Sequence, residues 1–397
     1  MRIFFSVGEP SGDQHAAHLI ESLRRRNPGI EAVGYGGPHM EQAGCKLDFQ
    51  LTNLAVMGFS QVLPHLKQFY DLVQNADRIF RSNQKPDAVV LVDFPGFNWH
   101  IARKAKAAGI PVFYYLPPQI WAWAGWRINK LRKYVDHVLC GLSFEPDWYA
   151  KRGLKVDFVG HPFFDEVAEK KLNAEFVLSE RNRPGRIVGV LPGSRNLEVH
   201  RNWSLQLEVM ARTAKKHPDV RFLVASYKPH QRDFCEKSLA EWQAAHPEIP
   251  PLPVEFHLGR TSEIIEIAQC CLMVSGSVSL EMLSRRTPAV VMYRMNPSFY
   301  YSVIWMAQVP YMTLVNLMAN QQLFPEDVIV LRPKRSVENL TQYLDDWLTH
   351  PEKLAAVREQ LGELCRSVAS TGATARTAEA ILRKLSTAAP DAGRRAA

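Results

Sequence analysis

The octapeptide LPGSRNLE at 191–198 has the residue types of a phosphate-binding turn. It follows the apolar run RIVGV and precedes a helical pattern, which predicts a strand, a sharp turn and a helix. Gly193 lets the main chain approach a ligand closely, and the amides from Ser194 onward point at an anion from the helix N-terminus. Arg195 adds a permanently charged guanidinium that fits phosphate oxygens. The pattern favours a nucleotide phosphate, although ordinary surface turns share this composition.

A second turn of similar design, SGSVSLE at 275–281, ends the apolar run CLMVS. Gly276 turns the chain, and Ser277 lies near the first amides of the next helix. Glu281 comes four residues later, on the same helix face as Ser277. A diphosphate bound to the amides would leave Glu281 to accept a hydrogen bond from a ribose hydroxyl. The structural alternative is that Ser277 caps the helix and Glu281 interacts with its dipole.

A candidate general base lies in KPDAVVLVDFPGFN at 85–98. Asp93 follows an apolar strand directly, at the end where ligands collect in parallel sheets. A carboxylate in this position is suited to accept the proton of an attacking hydroxyl group. The alternative is an aspartate that only caps the following turn.

The N-terminal motif GEPSGD at 8–13 does not fit the dinucleotide pattern G-x-G-x-x-G. Its Ser11 and Asp13 could simply cap the next helix. The chain has neither a GK[ST] phosphate loop nor a D-x-D pair for a metal-bound diphosphate. We therefore expect no metal and no other cofactor, with main-chain amides and Arg195 neutralising any bound phosphates.

Three stretches combine aromatic side chains with few acidic residues. The first, at 116–137, interleaves Trp121, Trp123 and Trp126 with arginine and lysine, which is typical of an anionic membrane surface. The second, at 53–70, is predicted to expose four apolar side chains: Met57, Phe59, Val62 and Leu63. The third, 295–325, contains no charged residue or histidine, but its prolines and amides argue against a membrane-spanning helix. Core packing of the tryptophans and binding of single-stranded nucleic acid are the alternatives; a peripheral membrane role is favoured over nucleic acid.

The elements that must position these residues are short apolar runs alternating with longer helical patterns. The runs that we interpret as strands are 3–7, 88–92, 112–116, 137–141, 186–191, 221–226, 254–258, 271–275 and 289–293. Runs that are apolar on both faces predict parallel sheets covered by helices on two sides. A chain of 397 residues with 46% hydrophobic residues has room for two such domains. Its net charge of +8 favours anionic partners.

Four segments follow from this pattern: a Rossmann-like domain at 1–165, a charged linker at 166–186, a second Rossmann-like domain at 187–365, and a C-terminal helix with a basic tail at 366–397. The last segment could pack back on the first domain. The six cysteines show no metal-binding spacing and are expected to be reduced thiols of a cytoplasmic protein.

Taken together, the motifs resemble those of the lipid-A-disaccharide synthases, a glycosyltransferase family of the GT-B architecture. The resemblance covers about residues 3–335 and depends on GEPSGD, NLAVMGF, VDFPGFN, WAW, FVGHP, LPGSRNLEV, SGSVSLE, YRM and TLVN. It implies an α/β fold with two doubly wound, parallel-sheet domains facing a central cleft. Because the motif of Asp93 lacks the second acidic residue that some members carry after the proline, Asp93 is its one base candidate.

The resemblance also implies a reaction. An inverting enzyme of this family joins UDP-2,3-diacylglucosamine to 2,3-diacylglucosamine 1-phosphate, releasing UDP, with Asp93 as base for the acceptor 6-hydroxyl. UDP would be held by Gly193, Ser194, Arg195, Gly276, Ser277, Glu281 and Asn316, and the acceptor side would include Glu9, Ser11, Gly12 and Asp13. The implied location is the cytoplasmic face of the inner membrane, with a homodimer as one option and no nucleic acid partner. The alternatives are another GT-B enzyme, such as a UDP-sugar epimerase or a transferase with a different lipid acceptor, and a non-catalytic lipid-binding relative.

Overall fold

The computed structural model describes residues 1–55 and 66–388 and divides them into two compact units. Unit 1 contains Met1–Asp165 and the helix that follows Ser370, whereas unit 2 is Glu166–Ala369. The predicted contacts Met57, Phe59, Val62 and Leu63 lie outside the described residues.

The described strands are β1 Arg2–Val7, β2 Glu31–Gly36, β3 Lys46–Gln50, β4 Ala88–Val92, β5 Val112–Tyr115, β6 His137–Cys140, β7 Asp157–Phe158, β8 Arg186–Leu191, β9 Val220–Ser226, β10 Val254–Leu258, β11 Cys270–Val274, β12 Ala289–Arg294 and β13 Glu326–Ile329. The α-helices are α1 Pro10–Arg26, α2 Pro38–Gln42, α3 Thr52–Ala55, α4 Leu66–Phe80, α5 Pro95–Ala107, α6 Ile120–Trp123, α7 Ile128–Tyr134, α8 Glu145–Ala150, α9 Phe163–Glu169, α10 Ala174–Asn182, α11 Asn196–Lys216, α12 Pro229–Ala245, α13 Thr261–Ile267, α14 Val278–Arg285, α15 Pro297–Val303, α16 Leu314–Ala319, α17 Pro333–Thr349, α18 Pro351–Val368 and α19 Ala373–Ala388. A short 3-10 helix, Gly125–Arg127, joins α6 to α7.

Each unit contains one parallel sheet of doubly wound order. In unit 1 the order is β3-β2-β1-β4-β5-β6-β7, and in unit 2 it is β10-β9-β8-β11-β12-β13. The order reverses between β1 and β4 in one sheet and between β8 and β11 in the other. These reversals are the topological switch points, where open α/β sheets bind their ligands.

Strand β4 shows why the apolar runs form these sheets. All five of its residues are buried, and they alternate between two cores. Val89 and Leu91 pack with Ala76 and Phe80 of α4 on one face. The other three, Ala88, Val90 and Val92, pack with α1 and α19 on the opposite face. A strand covered on both sides needs apolar residues at every position.

Residues 166–186, predicted as a linker, belong to unit 2. Asn173 caps α10 by accepting a hydrogen bond from the Phe176 amide at 2.8 Å. Glu180 of α10 pairs with Arg221 of β9 at 2.8 Å, and both side chains are largely buried. These contacts fix the segment against the second sheet.

Helix α19 completes unit 1. Asp165 accepts hydrogen bonds from the amides of Ala373 and Thr374 at its start. Arg376 donates to the Val159 carbonyl at 2.9 Å, and Ile381 is fully buried in the core beside α1. The change of unit falls between residues 369 and 370, a few residues after the predicted boundary at 365.

Candidate functional site

The predicted site residues follow the strands at the two switch points. In unit 1, Val7 of β1 pairs with Val92 of β4, so Gly8 and Asp93 leave the sheet side by side. In unit 2, Leu191 of β8 pairs with Met273 of β11, so the PGSR and SGS turns leave the second sheet in the same way. Each sheet thus brings two of the sequence motifs together at its carboxyl edge.

The turn after β4 has an unusual backbone. Asp93 and Phe94 have φ angles of 47° and 44°, a left-handed conformation that is uncommon outside glycine. The Asp93 carbonyl accepts hydrogen bonds from Asn98 Nδ2 and from the Tyr114 hydroxyl, both at 2.8 Å. The Asp93 residue itself is partly exposed. The carboxylate is therefore carried on a fixed, non-standard turn.

The glycines of GEPSGD allow close packing around Asp93. A Cβ on Gly8 would lie 2.2 Å from the Phe94 ring, and one on Gly12 would lie 3.1 Å from Val7 and 3.9 Å from the Asp93 Cβ. Helix α1 can approach the ends of β1 and β4 only because these side chains are absent. Glu9 is partly exposed and Ser11 is exposed at the start of α1.

Asp13, predicted on the acceptor side, has a structural position instead. It is 1% exposed and accepts hydrogen bonds from the main-chain amides of Gly37, His39 and Met40 at 2.9–3.1 Å. It therefore caps α2, a different helix from the one suggested by its position in sequence. Amides at a helix N-terminus that find no partner within the helix require such an acceptor.

In unit 2, the PGSR turn reaches the surface, and its glycine has a backbone conformation that other residues rarely adopt. Gly193 has φ 120°, and a Cβ there would lie 2.9 Å from the Cβ of Glu198. Ser194 and Arg195 are exposed. Arg195 Nη1 pairs with Glu198 at 2.9 Å, with 75% of the arginine side chain still exposed. The Glu198 side chain is 12% exposed, but the guanidinium is largely in solvent, which weakens the pair and lets another anion compete for the arginine.

The turn after β11 matches its prediction except at Glu281. Gly276 and Ser277 are exposed, and the Ser277 side chain makes no capping hydrogen bond, so the capping alternative is wrong for this serine. Glu281 is 5% exposed, and Arg285 Nε donates to it at 3.0 Å. Its carboxylate is already paired beneath the turn, where it supports α14; the predicted ribose contact does not match this buried pairing.

Asn316, predicted to bind the nucleotide sugar, is also structural. It is fully buried, its Nδ2 donates to the Phe324 carbonyl at 2.8 Å, and its Oδ1 accepts from the amides of Leu323 and Phe324 at 2.9 Å. Its amide group therefore fixes the loop that leads into β13.

The three tryptophans of the WAWAGW segment separate by burial. Trp121 is 2% exposed, and its indole NH donates to Glu145 at 3.0 Å, so its predicted membrane contact is wrong. Trp123 and Trp126 are 40% and 61% exposed. The Arg127 guanidinium lies 4.6 Å and 5.3 Å from their ring centroids, a cation–π arrangement on the surface.

Sequence reasoning missed the buried residues that hold these turns. Asn98 and Tyr114 fix the Asp93 carbonyl, and Gln231 donates to the Ser194 carbonyl at 3.0 Å. Glu145 accepts from two main-chain amides and Trp121, while burial raises the pKa of this carboxyl to about 7. Two sequence features could have pointed to them: Asn98 lies between two aromatic residues, and Glu145 lies in the segment that follows the apolar strand β6.

Two features are absent from the described residues, 1–55 and 66–388. No described helix is both long and apolar enough to cross a bilayer. Among the same residues, no three His, Cys, Asp or Glu side chains are grouped as metal ligands would be.

A family model described as lipid-A-disaccharide synthetase matches residues 3–353. The chain belongs to this family. The lipid-A-disaccharide synthase of Nitrosococcus oceani is 34% identical over 361 residues, which is 90% of this chain and 91% of the relative. The predicted family is confirmed, and with it a glycosyltransferase of lipid A biosynthesis.

Solved structures agree on the fold. MnaA of S. aureus, solved with UDP, aligns with a TM-score of 0.63 at 12% identity, covering 97% of this chain and 96% of that one. The calicheamicin glycosyltransferase CalG4 aligns with a TM-score of 0.55 at 16% identity, covering 98% and 99%. The predicted GT-B architecture of two Rossmann-like parallel sheets is therefore confirmed.

Proposed function

We propose that this member of the lipid-A-disaccharide synthase family transfers 2,3-diacylglucosamine from UDP to the 6-hydroxyl of 2,3-diacylglucosamine 1-phosphate. The observation that carries the proposal is a partly exposed aspartate, Asp93, on a left-handed turn at the switch point of unit 1. An inverting transfer needs such a base to accept the hydroxyl proton. It also needs stabilisation of the departing diphosphate.

In the proposed reaction, Asp93 takes the proton of the acceptor 6-hydroxyl while its oxygen attacks the anomeric carbon of the donor. The bond from that carbon to the β-phosphate oxygen breaks, and UDP leaves with the bonding pair. The attack occurs on the face opposite the leaving group, so the new β-1,6 linkage has inverted configuration. The product is the lipid A disaccharide 1-phosphate.

Unit 2 is the proposed UDP-binding unit. Its exposed PGSR turn and the N-terminus of α14 present amides at one edge of the sheet, which suits a diphosphate. In this proposal Arg195, which is paired with Glu198, would exchange that partner for a phosphate oxygen. The proposal assigns phosphate neutralisation to these groups, with no metal or other cofactor.

The deciding experiment supplies UDP-2,3-diacylglucosamine, labelled in the sugar, with and without the lipid acceptor. We expect UDP release and labelled disaccharide only when the acceptor is present. An epimerase would convert the sugar at one carbon without an acceptor, and a non-catalytic lipid binder would leave the donor intact. A transferase with another acceptor would give neither product here but would release UDP with a different lipid alcohol.

We also propose that the enzyme works as a peripheral protein on the cytoplasmic face of the inner membrane. Both substrates carry acyl chains, and the described surface exposes aromatic side chains in uncharged or basic segments. Trp126 is 61% exposed beside Arg127, and Trp305 is 89% exposed within the charge-free stretch 295–325. Such residues favour a bilayer that contains anionic lipid.

Co-sedimentation with vesicles tests this membrane proposal. Trp126→Ser and Trp305→Ser should each reduce binding to phosphatidylglycerol vesicles, whereas Tyr343→Ser, an exposed aromatic on α17, should not. Equal binding of all three variants would contradict it. Analytical ultracentrifugation of the same purified protein would test the predicted homodimer.

A further inference from the structure

The turn that carries Asp93 adopts a backbone that its own residues disfavour. Asp93 and Phe94 are consecutive non-glycine residues with positive φ angles. The left-handed region brings Cβ close to the following carbonyl oxygen. Strained conformations of this kind persist only where surrounding groups hold them, and they concentrate at functional sites.

One buried side-chain amide, that of Asn98, joins the turn to the ends of two strands. Asn98 is fully buried, and its Nδ2 lies 2.8 Å from the Asp93 carbonyl, 3.2 Å from the Val92 carbonyl and 3.1 Å from the Ser6 carbonyl. Its Oδ1 accepts a hydrogen bond from the Ser6 hydroxyl at 2.6 Å. This side chain therefore joins the ends of β1 and β4 at the point where the chain turns.

A second buried donor reaches the same carbonyl from the neighbouring strand. The Tyr114 hydroxyl of β5 lies 2.8 Å from the Asp93 carbonyl oxygen. The Tyr114 ring is fully buried and packs edge-on against Trp99, with ring centroids 5.5 Å apart. The hydroxyl is thus delivered by a rigid part of the core.

We infer that Asn98 and Tyr114 are positioning residues for the proposed base: they hold the Asp93 carbonyl and so maintain the left-handed turn that presents its carboxylate. The inference rests on the proposed function. Rotation of the peptide after Asp93 would carry the carbonyl away from both donors. Two buried donors would then lose a partner, which is costly in the core.

Tyr114→Phe is the sharpest single test, because it removes one hydroxyl and keeps the packed ring. A neutral hydrogen bond shifts an equilibrium by roughly threefold to tenfold. In the variant, a smaller fraction of enzyme molecules holds the Asp93 carboxylate in the correct orientation. We therefore expect kcat to fall by about that factor, while KM for both substrates stays within about twofold. Wild-type kcat in this variant would overturn the inference.

Tyr149→Phe is the matched control. Tyr149 lies in the same core and is fully buried, and its hydroxyl has no hydrogen-bond partner among the described residues. Removal of the Tyr149 hydroxyl should leave kcat unchanged. An equal fall in kcat for both variants would show a general packing effect and would overturn the inference.

A double-mutant cycle separates the failure of this inference from the failure of the proposed function. If Tyr114 acts through Asp93, adding Tyr114→Phe to Asp93→Asn should cause no further loss of kcat. A further threefold to tenfold loss in that background would show that Tyr114 acts elsewhere and would overturn the positioning role alone. Near-wild-type kcat in Asp93→Asn itself would overturn the base assignment.

Discussion

The turns after β4 and β8 each lie beside the switch point of their sheet but are built differently. The β4 turn of unit 1 uses two non-glycine residues in left-handed conformation, fixed by Asn98 and Tyr114. The β8 turn of unit 2 uses Gly193 for its positive φ and leaves Ser194 and Arg195 exposed. One turn is held from the core, and the other is open to solvent.

This difference matches the two chemical tasks that we propose. A general base must point in one direction, so buried side chains that fix its backbone are useful. A diphosphate is bound by several amides and a mobile guanidinium, which must remain accessible. The carboxyl edges of two similar sheets therefore carry turns of opposite design.

The largest expected effect comes from Asp93→Asn, which removes the proposed base without changing its shape. We expect kcat to fall by roughly 10²-fold or more, the range for loss of a general base, with unchanged affinity for UDP. Steady-state kinetics and calorimetric titration with UDP measure the two quantities. Asp147→Asn, an exposed carboxylate of the same unit, is the control. Turnover near that of the wild type would assign the base to another residue.

Gly193→Ala should damage the open turn next most strongly. The added Cβ would lie 2.9 Å from the Glu198 Cβ at a φ angle of 120°, so the loop must move and carry its amides and Arg195 with it. We expect the Kd for UDP to rise by about 30-fold. Gly96→Ala serves as control, because a Cβ there meets nothing within 4 Å. A Kd unchanged in Gly193→Ala would exclude this turn as the nucleotide site.

Arg195→Ala removes only the side chain of the same turn. Loss of one charge-assisted hydrogen bond to phosphate should raise the Kd for UDP by about tenfold. The melting temperature should change little, since 75% of the Arg195 side chain is exposed and solvent weakens its pair with Glu198. Arg212→Ala, which removes an exposed arginine of helix α11 far along the chain from the turn, should leave the Kd unaltered. If both variants bind UDP like the wild type, Arg195 is an ordinary surface residue.

The smallest effect on catalysis is expected at Glu145, in the loop after β6. Its measurable effect is on the pH dependence of the free energy of unfolding. Burial raises the pKa of this carboxyl from 4.5 to about 7 in the folded protein. Between these values the unfolded chain releases the proton first, so stability falls as the pH rises from about 4.5 to about 7 and is level above. The full difference is about 3 kcal/mol.

Glu145→Gln should remove that slope. Urea unfolding at pH 5 and pH 8 gives the comparison, with the exposed Glu21→Gln as control. A pH dependence that persists in Glu145→Gln would place its origin elsewhere. If the free energy of unfolding of Glu145→Gln is the same at both pH values, a second loop of unit 1 depends on a buried polar side chain, as the Asp93 turn does.

The sequence predicted the central strands well because burial on both faces leaves a simple apolar signature. The run 88–92 matches β4, and 186–191 matches β8. Strands β2 and β3 were missed because glycines interrupt one and polar residues alternate through the other at the sheet edge. Edge strands have a solvated side, so their sequences resemble loops.

The site was predicted in part. Exposed residues of the turns, such as Ser194 and Ser277, lie at the carboxyl edges where the strand pattern implied. Burial decided the differences: Asp13, Asn316 and Trp121 have polar atoms that could face a ligand or satisfy the main chain, and sequence spacing does not distinguish these outcomes. Only the packed structure shows which main-chain groups require a partner.

Helix α19 has a consequence for biosynthesis. It lies about 200 residues after the rest of unit 1, yet Ile381 and Ala378 are buried in the same core as Leu19. Helix α1 is available early to cover part of this face of the first sheet, but the part that α19 covers stays exposed until all of unit 2 has been translated. The later-made unit is the continuous one and can finish folding first.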